Sequence, residues 1–403
     1  MKSDRWPSVP VRRLGTVVGG GTPTADSAHW DGGIPFVTPP DLRPVVGGVV
    51  HTTQRTLTAE GVAAGSSIVP EGSVLLSIRA PIGYVARTSS AMAFNQGCRA
   101  IVPFGGTSAH YLTYALVAAG AELASLGRGT TFMELSAAQM AALELPVPSL
   151  EEQRAIADYL DRETGRIDNL IEEQQRLIEM LRERRAAVVS SAVTPTDSWV
   201  CHRIKHIGKT SLGKMLDAGR AVRDGDQPKP YVRAADVRAD GSVNLVDLNE
   251  MPFSDAEMKV FDLRAGDVLL IEGGATVGRP GFMFEPAPGI AFQKTVNRLR
   301  VGPETDARFV YWSMLRLYES AYYANHYGSV SFVHLTGEKL REIELHLPLL
   351  DEQRAIATYL DEQTARIDAL IAETERFVEL ARERRSALIA ATVTGQIDVR
   401  EMA

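Results

Sequence analysis

The sequence has little of what secreted and membrane proteins contain. It has only two cysteines, Cys98 and Cys201, in different segments, so neither a disulfide framework nor a cysteine zinc site is expected. There is no run of about eighteen apolar residues, and the N-terminal MKSDRWPSVP lacks the apolar core of a signal peptide. We therefore expect a soluble, cytoplasmic protein with no membrane partner.

The chain also lacks the excess of basic residues that is usual in DNA-binding domains, since its net charge is −7. This charge is unevenly placed: it is +1 over residues 1–149, −3 over 150–194, −1 over 195–349 and −4 over 350–403. The two large segments are thus almost neutral. Binding of such a chain to DNA would need local basic patches or a basic partner.

Catalytic motifs are missing as well. The TPPD of residues 38–41 has the wrong residues on both sides of Pro-Pro for a DNA amino-methyltransferase, and the GKT of 208–210 lacks the upstream glycine of a phosphate loop. The EMK of 257–259 fits a surface turn better than half of a nuclease motif. His202 and His206 have helical spacing but no third metal ligand nearby. We expect a chain that is not an enzyme and holds no metal.

What the chain does have is a duplicated segment. LEEQRAIADYLD begins at Leu150, and its counterpart LDEQRAIATYLD begins 200 residues later at Leu350; about 25 of the 43 positions from Glu152 to Thr194 are identical in the second copy. Apolar residues recur at three- and four-residue steps, which predicts a helix about 60 Å long in each copy. Ser149 and Glu152 form a capping-box pattern at the start of the first helix only. A heptad seam predicts a coiled coil through Ile167, Leu170, Leu177, Leu181, Val188, Ile367, Leu370, Phe377 and Leu388.

Before each helix lies a segment of short apolar runs separated by Gly, Pro, Thr and Asp, which is typical of strands and turns. The landmarks of the two segments match: GSVLLS with GDVLLI, and AFNQGCRAIVP with AFQKTVNRLRV. A helix is predicted at 110–124 in the first segment and at 309–323 in the second. We therefore expect an α+β protein with an internal repeat, divided into domains at 1–149 and 195–349 and long helices at 150–194 and 350–403.

This order of parts resembles the specificity subunit of type I restriction-modification systems (the HsdS family). The resemblance rests on the loops GTTFMELS and GSVSFVHLT, on the helix entries PVPSLEEQRAIADYLD and LPLLDEQRAIATYLD, and on the RID-containing helical repeats. It covers nearly the whole chain. It implies two target-recognition domains, separated by two long helices that pair as an antiparallel coiled coil with pseudo-twofold symmetry.

The resemblance also implies a function in host defence. Such subunits read a bipartite, asymmetric site in double-stranded DNA, one half-site per domain, and recruit two methyltransferase subunits for adenine methylation. A complete system adds two motor-endonuclease subunits. S-adenosylmethionine and ATP are then expected on the partner subunits, and this chain itself is expected to bind no cofactor. Two domains on stiff helices would set the half-site spacing geometrically, at about one helical turn of DNA if both address the same face.

Polar and basic residues in the strand-loop regions are the candidates for DNA contact. Arginine commonly reads guanine and asparagine or glutamine reads adenine in the major groove, while serine and threonine more often hold phosphates. For any one residue a solvated surface position is the simpler interpretation, but Gln96 and Gln293 occur in matching motifs. The candidates are Arg43, Arg79, Asn95, Gln96, Arg99, Arg128, Thr130 and Thr131 in the first domain, and Arg233, Arg238, Arg279, Gln293, Lys294, Arg298, Ser329, Ser331 and His334 in the second.

Three questions stay open at this point. The chain could serve a methylation-only or phage-defence system without an endonuclease, or it could be a coiled-coil scaffold that reads no sequence. The RERR blocks at 182–185 and 382–385 could meet phosphate or partner carboxylates, although a lattice of helix charges is the plainer interpretation. The alanine-rich helix ends near Ala187 and Ala387 could admit partner helices.

Overall fold

The computed structural model describes residues 3–127, 134–215, 225–327 and 334–402. The chain forms two compact units: the first comprises the residues up to Gln175 and those from Glu375 onward, and the second is Arg176–Thr374. Each unit thus contains one mixed domain and part of both long helices. Within the described ranges, no helix is both long and apolar enough to span a bilayer.

The domain of the first unit consists of short strands and helices and leads into a long helix. The strands are β1 (Ser8–Pro10), β2 (Gly15–Gly19), β3 (Trp30–Val37), β4 (Val49–Val50), β5 (Arg55–Leu57), β6 (Ser67–Val69), β7 (Val74–Ser77), β8 (Val85–Thr88), β9 (Met92–Phe94), β10 (Cys98–Pro103) and β11 (Glu144–Pro146). The helices are α1 (Pro39–Leu42), α2 (Ala59–Gly65), α3 (Ala109–Ala118), α4 (Gly120–Leu126), α5 (Ala137–Ala142) and the long α6 (Leu150–Ala192).

Three sheets organise these strands: β2-β10-β7-β8-β4, β5-β3-β9-β6 and the pair β1-β11. The run Val74–Ser77 is buried throughout, as expected for a central strand covered on both faces. Most pairings are antiparallel, but β3 and β9 run parallel, with Val37 opposite Phe94. This parallel pair directs two loops to one edge of the domain.

The domain of the second unit repeats the same plan. Its strands are β12 (Val200–Arg203), β13 (Gly208–Leu212), β14 (Gln227–Val232), β15 (Asn249–Phe253), β16 (Val268–Ile271), β17 (Pro280–Phe282), β18 (Ala291–Phe292), β19 (Val296–Val301) and β20 (Glu344–Leu347). Its helices are α7 (Ile204–Ile207), α8 (Asp255–Phe261), α9 (Ala307–Glu319), α10 (Tyr322–Tyr327), α11 (Gly337–Glu342) and the long α12 (Leu350–Val393).

The sheets of this domain are β13-β19-β16-β17, β15-β14-β18 and β12-β20. Each strand has a counterpart at the same place in the first domain, and β14 and β18 again run parallel, with Val232 opposite Phe292. The predicted α+β fold with an internal repeat is therefore confirmed. The domain-internal helices differ in detail: the one expected at 110–124 is broken at Ala119 into α3 and α4, just before Gly120, and the one expected at 309–323 is α9 followed by α10.

The long helices run antiparallel within each unit. In the first unit Leu160 shares a core with Ile389, while Ile171, ten residues or so further along α6, clusters with Val378, which lies earlier in α12. In the second unit Val189 shares a core with Leu360. Helix α6 begins with the predicted capping box, in which Ser149 N donates to Glu152 Oε2 at 3.2 Å and Glu152 N donates to Ser149 Oγ at 3.3 Å.

Candidate nucleic-acid interface

The parallel strand pair brings two loops of each domain to one edge. Because parallel strands end at the same side of a sheet, the segments after β3 and β9 lie together, and Asn95 N donates to Val37 O at 3.0 Å. In the second domain Gln293 N donates to Val232 O, also at 3.0 Å. The loops that carry AFNQ and AFQK therefore occupy equivalent positions.

A third segment joins this edge through a close backbone approach. Gly21 N donates to Phe94 O at 3.1 Å, as Lys214 N does to Phe292 O at 3.0 Å. A Cβ on Gly20 would lie 2.2 Å from Asn95 O, and a Cβ on Gly213 would lie 2.3 Å from Gln293 O. Only glycine fits at these two positions. The sequence analysis did not identify either glycine; in the structure each comes directly after a strand, β2 or β13.

A fourth segment connects the edge to the loops that precede α5 and α11. Ile78 N donates to Gly97 O and Leu135 N to Ile78 O, both at 2.9 Å. The second domain repeats this chain with Glu272 N to Thr295 O at 2.9 Å and Leu335 N to Glu272 O at 2.7 Å. We call the converging segments the loop edge: 20–22, 38–41, 78–79, 95–97 and 134–135 in the first domain, and 213–214, 233–236, 272–273, 293–295 and 334–335 in the second.

Pairs of an acidic and a basic side chain lie at equivalent places on the two loop edges, with the acidic and the basic residue exchanged between the two segments. In the first domain Arg79 Nε is 3.2 Å from Glu134 Oε2, with Arg79 about half exposed. In the second domain Glu272 Oε2 is 3.2 Å from His334 Nδ1. The same scaffold thus presents different charges. The candidates Arg128, Thr130, Thr131, Ser329 and Ser331 lie outside the described residues.

Other predicted residues on the loop edge differ in how their side chains are held. Asn95 Oδ1 accepts from Gly97 N at 3.0 Å, so this side chain shapes its own loop. Gln96 and Lys294 are exposed, and Gln293 is half-buried. Arg233 forms an ion pair with Asp236, Nε to Oδ2 3.1 Å, and this pairing raises the pKa of the guanidinium.

Four further candidates lie beyond these segments. Arg43 is exposed in a 3₁₀ helix, Arg43–Val45, directly after α1. Arg99 is half-buried in β10 opposite Gly19. Arg238 donates to Asn244 Oδ1 at 3.0 Å, and Arg279 stacks over Tyr318 at 5.9 Å from the ring centroid.

Arg298 is not available for DNA contact, which corrects the sequence-based expectation. The residue is 7% exposed, and its Nη1 donates to Val260 O at 3.1 Å and to Asp262 O at 2.6 Å. Burial is the main cause that lowers the pKa of Arg298. Its guanidinium ties β19 to the last turn of α8 and to Asp262 directly after it, contacts across 38 and 36 residues that no local pattern reveals.

The rejected motifs have structural roles. Thr38 N donates to Asp41 Oδ2 at 2.8 Å, so TPPD begins α1, and Glu257 caps α8 by accepting from Ser254 N at 2.9 Å. The GKT of 208–210 lies within β13. His202 and His206 line an open groove of about 540 Å³. Among the described residues no group of three or more His, Cys, Asp or Glu side chains could hold a metal ion.

The predicted coiled-coil seam is wrong at every second position. At these positions the residue that follows the predicted one is buried or half-buried in its place. Leu181 and Ile367 are buried, and Ile167, Val188 and Leu388 are half-buried. By contrast, Leu170, Leu177, Leu370 and Phe377 are 37%, 36%, 50% and 42% exposed. Their neighbours Ile171, Ile178 and Val378 are buried instead, and Ile371 is half-buried.

Each unit contains an ion pair between the long helices. Arg385 Nε lies 2.8 Å from Asp168 Oδ1 in the first unit, and Arg185 Nε lies 2.8 Å from Asp368 Oδ1 in the second. The last arginine of each RERR block thus pairs with the aspartate of the RID motif on the other helix. This contact was not foreseen, because sequence spacing suggested partners on the same helix.

An aspartate of each long helix also holds the adjoining domain. In the first unit Asp161 Oδ1 accepts from Tyr114 Oη at 2.6 Å and lies 2.7 Å from His110 Nε2. In the second, Asp361 Oδ1 accepts from Trp312 Nε1 at 3.0 Å and from Arg308 Nε at 2.7 Å. Each domain is therefore attached to its helix by one basic side chain and one aromatic donor on a shared carboxylate.

The comparisons with known proteins agree with this architecture. Residues 4–180 and 197–379 match the family described as the type I restriction modification DNA specificity domain. The two matched ranges cover most of the sequence, so the chain belongs to this family, as the sequence motifs indicated.

Curated relatives carry the same designation. The specificity subunit of the type I restriction enzyme MjaIX from Methanocaldococcus jannaschii is 36% identical over 182 residues, 44% of this chain and 41% of that protein. The EcoR124I/EcoR124II specificity subunit from Escherichia coli is 23% identical over 180 residues, 42% of this chain and 44% of that protein. The chain thus spans less than half the length of these curated relatives in each match.

Solved structures extend the likeness of fold to the whole chain. One, reported as the structural basis of complex assembly and conformational transition of the type I R-M system, has a TM-score of 0.78 at 16% identity and covers 98% of this chain and 100% of that one. The HsdS subunit from Thermoanaerobacter tengcongensis has a TM-score of 0.57 at 16% identity, with 98% of both chains covered. At this identity the likeness shows the fold alone.

Proposed function

We propose that this chain is the non-catalytic subunit that gives a type I restriction-modification complex its DNA specificity. One observation carries the proposal: the same loop edge is built twice in one chain, and its side chains differ between the copies. Asn95 and Gln96 in the first correspond to Gln293 and Lys294 in the second. Two related scaffolds with different polar surfaces suit the reading of two different half-sites.

Each domain would contact one half of a bipartite, asymmetric site in double-stranded DNA. The strongest candidates are the described residues of the loop edges, where side chains with donors and acceptors meet. The functional division would follow residues 1–149 and 195–349 for recognition, and 150–194 and 350–403 for spacing and assembly. The proposed contacts are Arg43, Arg79, Asn95, Gln96, Arg99, Arg128, Thr130, Thr131, Arg233, Arg238, Arg279, Gln293, Lys294, Ser329, Ser331 and His334.

The charge distribution makes basic partners necessary for tight binding. Both recognition segments are close to neutral, and neutralisation of phosphates by Lys and Arg supplies much of the affinity of DNA-binding proteins. We expect methyltransferase subunits to provide this charge and to bind S-adenosylmethionine. A motor-endonuclease, where the system has one, would bind ATP.

The long helices offer an apolar surface for those subunits. Large apolar side chains stay exposed on them: Leu170, Phe377 and Leu380 in the first unit, and Leu177, Met180 and Leu370 in the second. In the first unit Leu170 also lines a groove of about 250 Å³ with Tyr159 and Leu388. Exposed apolar side chains of this size support partner docking along the helices, one methyltransferase per unit. They support it better than the alanine-rich ends do.

Substitution at these positions separates docking from folding. Leu170→Asp should weaken capture of the methyltransferase in a pull-down while the chain stays folded, because the side chain is already partly in water. Tyr159→Phe, in the same groove, keeps the apolar ring and serves as the matched control. Unchanged capture by Leu170→Asp would exclude this surface.

A binding experiment at constant salt distinguishes sequence reading from scaffolding. The chain assembled with its methyltransferase subunits is mixed with a pool of genomic fragments at fixed ionic strength, and bound fragments are sequenced. Specificity subunits should enrich fragments that share one motif, since base contacts add to the phosphate contribution. Equal recovery of all fragments of one length would favour the scaffold. Co-purification with or without an endonuclease separates complete systems from methylation-only or phage-defence systems.

A further inference from the structure

An arginine of the second loop edge is oriented by a carboxylate that accepts two of its donors. Arg233 directly follows β14, and its Nε and Nη2 donate to Asp236 Oδ2 at 3.1 Å and to Asp236 Oδ1 at 3.3 Å. Asp236 is itself held in place, because its Oδ2 also accepts from Arg233 N at 2.8 Å and its side chain is only 8% exposed. The plane of the guanidinium is therefore set by a buried carboxylate.

The first domain has the same carboxylate but a different residue at the position of the arginine. The segment after β3 corresponds to the segment after β14, since each of these strands pairs in parallel with its neighbour at the same edge. Thr38 thus takes the place of Arg233, and Asp41 takes that of Asp236. Asp41 accepts from the N–H and the hydroxyl of Thr38 and from Gln54 N. At this shared position only the second domain carries an arginine.

The guanidinium of Arg233 keeps an edge of unused donors. An arginine side chain has five N–H donors in a rigid planar fork and no acceptor. Asp236 takes one donor of Nε and one of Nη2, and none of the other residues that the structure describes accepts from this group. The Arg233 side chain is 35% exposed. The donors that remain on Nη1 and Nη2 lie side by side at the end of the fork.

The neighbouring carboxylate favours a base over a phosphate as the target of these donors. Binding to phosphate depends on positive charge, and the charges of Arg233 and Asp236 largely cancel. Reading of a base edge depends instead on the position of donors and acceptors. The ion pair preserves the donors at the end of the fork and restricts their orientation.

We propose that Arg233 reads a guanine in the major groove through Nη1 and Nη2, and that Asp236 is its positioning residue. Guanine presents two adjacent acceptors, N7 and O6, whereas adenine and thymine each present one acceptor and cytosine presents a donor. A group that can only donate, with two parallel donors, therefore selects guanine. The proposal rests on the proposed function and adds the base and the residue pair that selects it in one half-site.

Modified bases test the contact on the unaltered chain. The chain, assembled with its methyltransferase subunits, is bound to duplexes that carry its mapped recognition site. Each guanine is replaced in turn by 7-deazaguanine, which lacks N7, or by inosine, which keeps N7 and O6. We expect a guanine in one half-site at which 7-deazaguanine weakens binding by at least about 5-fold while inosine has little effect. A recognition site without such a guanine overturns the proposal.

Truncation of the side chain assigns this guanine to Arg233. Arg233→Ala should remove the effect of 7-deazaguanine at that position and allow other bases there. The other half-site should be read as before, which shows that the variant has folded and assembled. Arg264→Ala is the matched control, since Arg264 also pairs with an aspartate, Asp262, but lies outside the loop edge.

A phosphate contact of Arg233 would give a different result. Arg233→Ala would then weaken binding to all sequences about equally and lower the slope of the salt dependence by about one. The effect of 7-deazaguanine would persist in the variant. This combination would refute the guanine contact.

Replacement of the carboxylate tests its positioning role. Asp236→Asn keeps the shape of the side chain but removes its charge, so Arg233 is no longer held or neutralised. We expect a weaker preference for guanine at that position together with tighter binding to unrelated DNA at low salt. Asp255→Asn removes the same charge from an exposed residue of α8 and should leave the guanine preference intact. Full guanine preference in Asp236→Asn, or a loss of both kinds of binding, would contradict the positioning role.

The wild-type chain separates this inference from the function on which it rests. If the assembled wild type binds no split motif, the proposed function fails. If the split motif is present but none of its guanines responds as described, only the present inference fails.

Discussion

Arg298 and Lys294 are both cations near the start of β19, but their surroundings differ. Lys294 is exposed, whereas the Arg298 guanidinium is enclosed and bonded to two backbone carbonyls with Asp262 beside it. Residue type alone made both candidates for DNA contact. The distinction depends on Val260 and Asp262, which only the folded chain brings to Arg298.

Arg298→Ala should therefore act on stability. Removal of the guanidinium leaves the partly buried Val260 carbonyl without this donor, whereas Asp262 keeps its contacts with Arg264 and Arg300. We therefore expect a loss of about 2 kcal/mol in the free energy of unfolding of this domain. Lys294→Ala is the contrasting variant: it should unfold at the wild-type temperature but bind DNA more weakly. Thermal denaturation and a salt-controlled binding curve measure the two effects. Equal Tm values for the two variants would be inconsistent with this assignment.

Gly20 allows the backbone after β2 to approach the 95–97 loop closely because it has no side chain. Because a Cβ at this position would overlap Asn95 O, Gly20→Ala should displace the 95–97 loop and weaken recognition of one half-site. Gly33→Ala is the matched control in the same domain, since its Cβ would meet no atom within 4 Å. The comparison is made by mapping the methylated motif of each variant. Normal recognition by Gly20→Ala would show that the loop tolerates displacement.

The sequence predicted the long helices correctly but predicted only part of the face that each helix buries. The repeat and its apolar spacing predicted both helices and their starts at Leu150 and Leu350, as observed. The seam was ambiguous because a heptad can place its second apolar residue three or four positions after the first. Leu170-Ile171 and Leu177-Ile178 are apolar doublets that fit either choice, and packing against the partner helix decides between them.

Ile171→Ala and Leu170→Ala form a matched pair that tests the seam. Ile171 clusters with Val378 and Ala381, so its truncation should lower the free energy of unfolding by about 3 kcal/mol. Leu170 is already 37% exposed, and its truncation should change stability by less than about 1 kcal/mol. Chemical denaturation of the purified chain provides the comparison. A larger effect at Leu170 would restore the originally predicted seam.

The loop edges were harder to predict than the helices. The matching of AFNQ with AFQK and the polar candidates at 95–96 and 293–294 came from the sequence. The hydrogen-bond partners of the two glutamines could not be predicted from the sequence. Gln96 contacts Thr22, 74 residues away, whereas Gln293 contacts Thr295, only two residues away. Contacts of such different separation leave no common sequence signal.

For the whole molecule, the duplication was visible in the sequence because the helices have diverged least. The two domains share strand order but few residues, and the first contains strands β4 and β6 that have no counterpart in the second. Divergence of this kind hides the repeat in the domains while preserving the scaffold. The duplication of the entire chain could therefore be inferred from the repeated helices.

If the helices set the half-site spacing, their length should control it. Insertion of one heptad into both α6 and α12 near their midpoints keeps the seam nearly in phase and adds about 10 Å, or about three base pairs of spacer. A heptad in only one helix should instead impair assembly. Replacement of an existing heptad by one of equal length is the control. Identical spacing after the double insertion would rule out the helices as the ruler.

The central claim is that one chain directs methylation to a site with two separately read halves. Its most direct test is co-expression of the chain with its methyltransferase subunits in a host without such activity, followed by mapping of methylated adenines across the genome. We predict a single motif of two defined parts separated by unspecified bases, and no methylation when this chain is omitted. A continuous motif, methylation without sequence preference or methylation that persists without the chain would contradict the account.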